Sequence, residues 1–273
     1  MQTELAQIIS LTSYGNEFIK TGFISGDYFP GSTLFQHCNT VDFRDFKKSL
    51  FFTKPKEIIS AQDPLNWFQL LKKEGCIRLR LYYKPAQKNQ FGPEYMLAGF
   101  AGGAGTWLIE TNFGSYSHYW QKRWQVTRKD AADNKIWGVN YVRLVKKFSP
   151  TNQQVDIQET KLRLTETLRE LIDFCKQRDL KYWLETFEKA LSILSDPTPN
   201  EFYYHKDLIV IKNYSLSAQQ LLFSAATAWV FGGMGWWNDM GFDDKVVQEK
   251  YLQLSQQLYD ELLQSILATT NSF

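Results

Sequence analysis

Cys76-Ile77-Arg78-Leu79-Arg80-Leu81-Tyr82-Tyr83-Lys84 alternates apolar and polar side chains almost residue by residue. A period of two is that of a β-strand, so Ile77, Leu79, Leu81 and Tyr83 share one face and Arg78, Arg80, Tyr82 and Lys84 the other. Immediately upstream the period is about 3.6. Asp63 offers an N-cap, Pro64 occupies the first helical position, and Leu65, Trp67, Phe68, Leu70 and Leu71 continue a helical pattern that Gly75 stops.

Downstream, strands are predicted at about 94 to 101, 105 to 112, 116 to 127 and 135 to 146. They are separated by Gly102-Gly103, Asn112-Phe113-Gly114 and the segment 130–134. Such short connections suit an antiparallel meander, because a parallel pair needs a crossover of about a dozen residues or more. After Ser149-Pro150 the texture turns helical. Leu164, Leu168, Leu171, Ile172 and Cys175 mark a helix over 157–178, and Trp183, Leu184, Phe187, Leu191 and Leu194 a second over 180–194. Leu208-Ile209-Val210-Ile211 reads as a short strand. Ser217 and Gln220 form a capping box for a helix through Phe231, and Asp243 or Asp244 caps a last helix with the stripe Val247, Tyr251, Leu254, Leu258, Leu262 and Ile266. At the amino end, residues 3–11 read as a short helix, after which Gly15, Gly22, Gly26, Pro30 and Gly31 interrupt the chain. The predicted fold is α+β: an antiparallel sheet, mainly from residues 76–146, packed against carboxy-terminal helices. One domain over 1–273 is expected, with a change of texture near 150 between a β-rich part (1–150) and a mainly helical part (151–273).

Thirty-one Lys and Arg against 29 Asp and Glu leave a formal charge of +2. No long-range field therefore favours nucleic acid or an anionic membrane as a default partner. Cys38, Cys76 and Cys175 are far apart and form no C-x-x-C pair, so neither a disulfide framework nor a zinc site is signalled. His37, His118 and His205 are isolated, and neither metal nor cofactor is expected. The amino terminus lacks a basic start and an unbroken apolar run, and no stretch approaches the roughly 20 apolar residues of a membrane span. A cytoplasmic protein without a membrane partner is expected. Aromatics stand out at 16% of the chain, which points to some of them lying on a surface or lining a cleft.

Val230-Phe231-Gly232-Gly233-Met234-Gly235-Trp236-Trp237-Asn238-Asp239-Met240-Gly241-Phe242 joins the last two predicted helices with four glycines and two tryptophans. Glycine lets the backbone turn and other groups approach, and tryptophan supplies contact area. If Trp236, Trp237, Asn238 and Asp239 face outward, they form a recognition surface; if not, they anchor a turn, with Asn238 and Asp239 capping backbone amides. The segment 228–239 resembles a carboxy-terminal signature of uncharacterised bacterial proteins, some of which resemble toxin-neutralising immunity proteins. Where related segments would tolerate a small residue, this chain has Trp236. The resemblance implies a bacterial, cytoplasmic protein and carries no catalytic residues with it.

A second glycine cluster, Gly99-Phe100-Ala101-Gly102-Gly103-Ala104-Gly105-Thr106, has no lysine at the position a phosphate loop requires and reads as a hairpin. In 116–124, alternation puts Trp120 and Trp124 with His118 and Lys122 on one side and Tyr119, Gln121 and Arg123 on the other. Were Arg78 and Arg80 to share an outward face with one of these rows, the sheet could stack nucleic-acid bases or engage an acidic protein. The preferred expectation is a non-catalytic protein-binding protein of the immunity type, using Trp236, Trp237, Asn238, Asp239, Trp120, Trp124, Arg78 and Arg80. Two alternatives stand beside it: an enzyme of hydrolase-like acid–base chemistry at the 232–244 loop, with Asp239 or Asp244 as acid or base and His118 or His205 as a candidate partner, and nucleic-acid binding by the sheet.

Overall fold

Helix α1 (Thr3–Thr21) is twice as long as its sequence suggests, running through Gly15 to a left-handed Gly22. Gly15 does not break it because its role is close approach: a Cβ there would come 2.6 Å from Leu79 Cδ2 and 3.0 Å from the Phe68 ring. The computed structural model describes residues 1–24, 27–47, 56–86, 92–99, 104–144 and 155–273. After α1 come β1 (Cys38–Lys47), β2 (Lys56–Ala61), α2 (Pro64–Lys73) and β3 (Arg78–Lys84). There follow the single helical turn α3 (Glu94–Leu97), β4 (Thr106–Asn112), β5 (Ser117–Val126) and β6 (Trp137–Arg143). The remainder is helical: α4 (Ile157–Gln177), α5 (Lys181–Ile193), α6 (Leu216–Thr227) and α7 (Lys245–Thr270).

The fold is α+β, and the described strands form a six-stranded sheet in the order β2-β1-β6-β5-β4-β3. The stretch β3 to β6 is the expected antiparallel meander. The amino-terminal part extends it: β1 lies parallel to β6, with Phe43 beside Tyr141, and β2 pairs antiparallel with β1 on the far side. The sheet is therefore mixed.

Three local expectations are corrected. Residues 94–97 are helical instead of extended and Ala98-Gly99 form a turn; residues 100–101 of that predicted strand, with Gly102-Gly103, lie outside the described residues, as does Ser149-Pro150. Leu208, Ile209 and Val210 are buried without joining the sheet; Ser13 Oγ accepts the Val210 amide at 3.0 Å, so burial alone explains their apolar character. The cap of α6 is Ser215, whose hydroxyl accepts from Ala218 N, and not Ser217. Asp63 caps α2 and Asp244 caps α7 as expected.

One sheet face packs on α1 and α2, and much of the aromatic surplus is there. Phe43 stacks on Trp67 at 4.2 Å and on Tyr141 at 5.1 Å, and Trp120 meets Trp67 edge-on at 5.3 Å. Such pairs add about 0.5–1.5 kcal/mol beyond the area they bury. The β3 margin of the sheet is closed by side chains. Asn16 accepts from Leu79 N (2.7 Å) and donates to Leu79 O (2.9 Å); Asn271 does the same for Leu81 at 2.7 and 2.9 Å. Each amide thus imitates one residue of a neighbouring strand.

Glu17, also on α1, has its carboxylate almost fully buried against Lys212 Nζ (2.7 Å) and Asn213 Nδ2 (2.8 Å). Burial by itself pushes its pKa up, but the bonds from Lys212 and Asn213 outweigh burial and hold it below the ordinary 4.5. A pKa depressed in the fold stabilises fully above the unfolded value, and that stabilisation is lost as pH falls through the folded value. Glu17→Gln is accordingly expected to flatten the dependence of the urea midpoint on pH below about 4.5. An unchanged acid limb would contradict this.

Candidate functional site

After α6 the buried run Trp229-Val230-Phe231 delivers the chain to Gly232, where the loop begins. Asn238 clamps the loop shut: its Oδ1 accepts from Gly232 N at 3.0 Å and its Nδ2 donates to Gly232 O at 3.1 Å. Asp239 accepts the amide of Gly235 at 2.6 Å, and Gly235 has the φ of +82° that makes glycine necessary there. Trp237-Asn238-Asp239 form a single 3-10 turn, which sends successive side chains in different directions.

That turn separates the two tryptophans. Trp237 is 0% exposed, ringed by Phe174, Trp183, Phe187 and Tyr251, and its Nε1 donates to Ser255 Oγ at 2.8 Å. The outward placement expected of Trp237 and Asn238 is thus corrected. A large apolar ring is more stable in that aromatic cage than in water, and the Asn238 amide is occupied by the backbone it clamps. Trp236 behaves otherwise. It is 44% exposed, with its ring laid on Gly232, where a Cβ would come 2.5 Å from the indole. Met234 beside it is 90% exposed, and Asp239, Asp243, Asp244 and Val246 are also on the surface.

The two glycine clusters of the sequence converge here. A Cβ on Gly99 would fall 1.9 Å from Gly232 O, so these two backbones touch. Behind them Glu94 Oε1 accepts from Gly105 N at 2.5 Å and from the Tyr83 hydroxyl, with the Tyr259 hydroxyl at 3.5 Å. Burial first, and then the charge of Glu94, push the Tyr259 hydroxyl far above its ordinary pKa. Glu94 and Tyr259 were not singled out from sequence, and Tyr83 was read only as a face residue of its strand. The only sequence signal near them is Gly105, whose missing side chain leaves room for both groups.

The sheet residues are not brought into one surface. Trp120 is fully buried on the helix-covered face, donates to Thr111 Oγ1 at 3.2 Å and lies under the Arg143 guanidinium. Trp124 is half-buried against Trp137. Register sets Arg80 opposite Glu110 and Glu110 opposite Tyr119, so the arginines share a face with Tyr119 and not with the indoles. Glu110 is buried there and accepts from Ser117 Oγ at 2.6 Å. Arg78 donates to the carbonyls of Asn271 and Phe273. Trp120 faces the core and is withheld from base stacking; on the arginine face the register places Tyr82 and Tyr119, paired edge-on at 5.2 Å, with Tyr119 buried.

Nor do the acid–base candidates meet. Asp244 accepts from Val246 N and Val247 N, and Asp239 from Gly235 N. His205 is bonded to Thr33 Oγ1 at 2.7 Å, and burial lowers its pKa; His118 packs on Phe113 and Tyr116. Among the described residues neither histidine hydrogen-bonds to either aspartate, and no group of three or more His, Cys, Asp or Glu could hold a metal ion. Burial pushes the thiols up, Cys38 to about 11 and Cys76 and Cys175 to about 12, far from a reactive thiolate. No described helix is long and apolar enough to cross a membrane. In comparisons with protein-family models, curated proteins and solved structures, nothing matches this chain.

Proposed function

We propose that this chain is a non-catalytic protein-binding protein whose docking tip is the Gly232–Asp244 connection. The observation that carries the reading is the pairing of exposed Met234 and Trp236 with a backbone fixed beneath them by Asn238, Asp239 and Trp237. A loop already held in shape loses little conformational entropy on binding, and tryptophan is the residue most enriched among interface hot spots. Asp239, Asp243 and Asp244 around the tip favour a partner with an apolar pocket rimmed by cations. Neutralisation of a toxic protein in a bacterial cytoplasm is a function that such a tip would serve. Asp239 and Asp244, the carboxylates of the acid–base alternative, are engaged with backbone amides, which suits orienting the loop.

A photo-crosslinking residue at Met234, introduced in living cells, is expected to give one discrete protein adduct, and Trp236→Ala to abolish it. The same probe at Leu162, exposed on α4, is expected to give none. Trp236→Ala should cost about 1 kcal/mol of stability, so loss of the adduct would not reflect unfolding. No adduct at 234, or one indifferent to Trp236, would refute the reading.

A further inference from the structure

The two margins of the sheet are treated differently. Asn16 and Asn271 close the β3 margin, whereas among the described residues no strand pairs with the outer side of β2. An antiparallel edge strand turns alternate backbone N–H and C=O groups outward, where they template another strand. Along β2 the side chains do not hide this edge. Ile58 and Ile59, on opposite faces, are both exposed, Ile59 by 54%. Beside it runs an open groove whose other wall is Asn66, Gln69, Leu70 and Lys73, spaced i, i+3, i+4, i+7 on one stripe of α2.

Apart from Glu57, the charged residues of β2 and of the groove wall are lysines. Lys47 and Lys56 face each other across β1 and β2, and Lys73 lines the groove. None of the three is in an ion pair among the described residues. The nearby carboxylate, Glu57, is already neutralised by Arg44 at 3.1 Å and Arg123 at 2.9 Å. Like charges directly opposite on neighbouring strands destabilise the pair, and a carboxylate brought alongside relieves them. A second copy of this edge would bring further lysines instead.

We infer that β2 is a strand-addition site for an extended acidic segment of a partner protein. Its backbone would extend the sheet, its apolar side chains would cover Ile58 on one face, and its carboxylates on the other face would meet Lys73 beside Ile59. This site is independent of the docking tip proposed above.

The test uses the full chain with two synthetic octapeptides, acetylated and amidated, of alternating Val and Glu or alternating Val and Lys. The Val-Glu peptide is expected to bind and to slow hydrogen exchange in Lys56–Ala61, and Lys73→Glu to weaken it roughly tenfold, about 1.4 kcal/mol. Lys73 is exposed, so this variant should fold; unchanged exchange in Trp67 and Phe68 of α2 would confirm it. Equal binding of the Val-Lys peptide, or binding without protection of β2, would overturn the inference. Protection of β2 that rises with protein concentration without peptide would also overturn it, in favour of self-pairing.

Discussion

Trp237→Ala should be among the most damaging single changes in this protein, costing about 3–5 kcal/mol by the usual range for removing a buried tryptophan. The side chain is fully enclosed by rings from α4, α5 and α7, so its loss empties space that three helices line and that none can fill without moving. Ser255 Oγ, its hydrogen-bond acceptor, also donates to Tyr251 O at 2.7 Å and so stays partnered; the loss is one of packing more than of polarity. Against a typical total of about 5–15 kcal/mol, the variant would be marginally folded. Trp237→Phe keeps most of the apolar volume and should retain most of the stability. Equilibrium urea denaturation of Trp237→Ala beside Trp236→Ala is the decisive comparison, since adjacent tryptophans are assigned opposite roles. Similar losses for the two would show that the division between anchor and tip is wrong.

That division was out of reach from the sequence, and the reason is geometric. Which way each indole of a Trp-Trp pair points depends on the dihedral angles of one 3-10 turn and on a cage contributed by α4, α5 and α7. The alternation at 77–84, the Asp63 cap with Pro64, and the meander were readable because each is decided by neighbours in the chain. What failed was non-local. The parallel pairing of β1 with β6 joins segments about a hundred residues apart, and Gly15 reads as a break until Leu79 and Phe68 are placed beside it. The Glu94 cluster draws on β3, α3, α7 and the approach to β4, which no spacing rule connects. Trp120 illustrates the opposite case: its alternation was right, but the covered face was the one that carries it.

Asn16→Ala carries the second large expected effect. Asn16 is buried, and its amide serves both backbone groups of Leu79, which is itself fully enclosed beneath α1. Truncation leaves a buried N–H and a buried C=O without partners, at about 1–3 kcal/mol for each group that water cannot reach. Asn16→Asp tests whether both halves of the amide matter. Its carboxylate still accepts from Leu79 N, but the Nδ2 donor to Leu79 O is replaced by an oxygen, so two acceptors face each other. The aspartate variant should therefore be no more stable than the alanine one near neutral pH, and should improve on acidification, when a protonated carboxyl donates again. Faster hydrogen exchange at Leu79 in both variants, measured with the urea midpoints, would locate the damage at this margin. If instead Asn16→Ala unfolds at the wild-type midpoint, Leu79 has found other partners and the side-chain closure of the sheet is not what holds β3 in place.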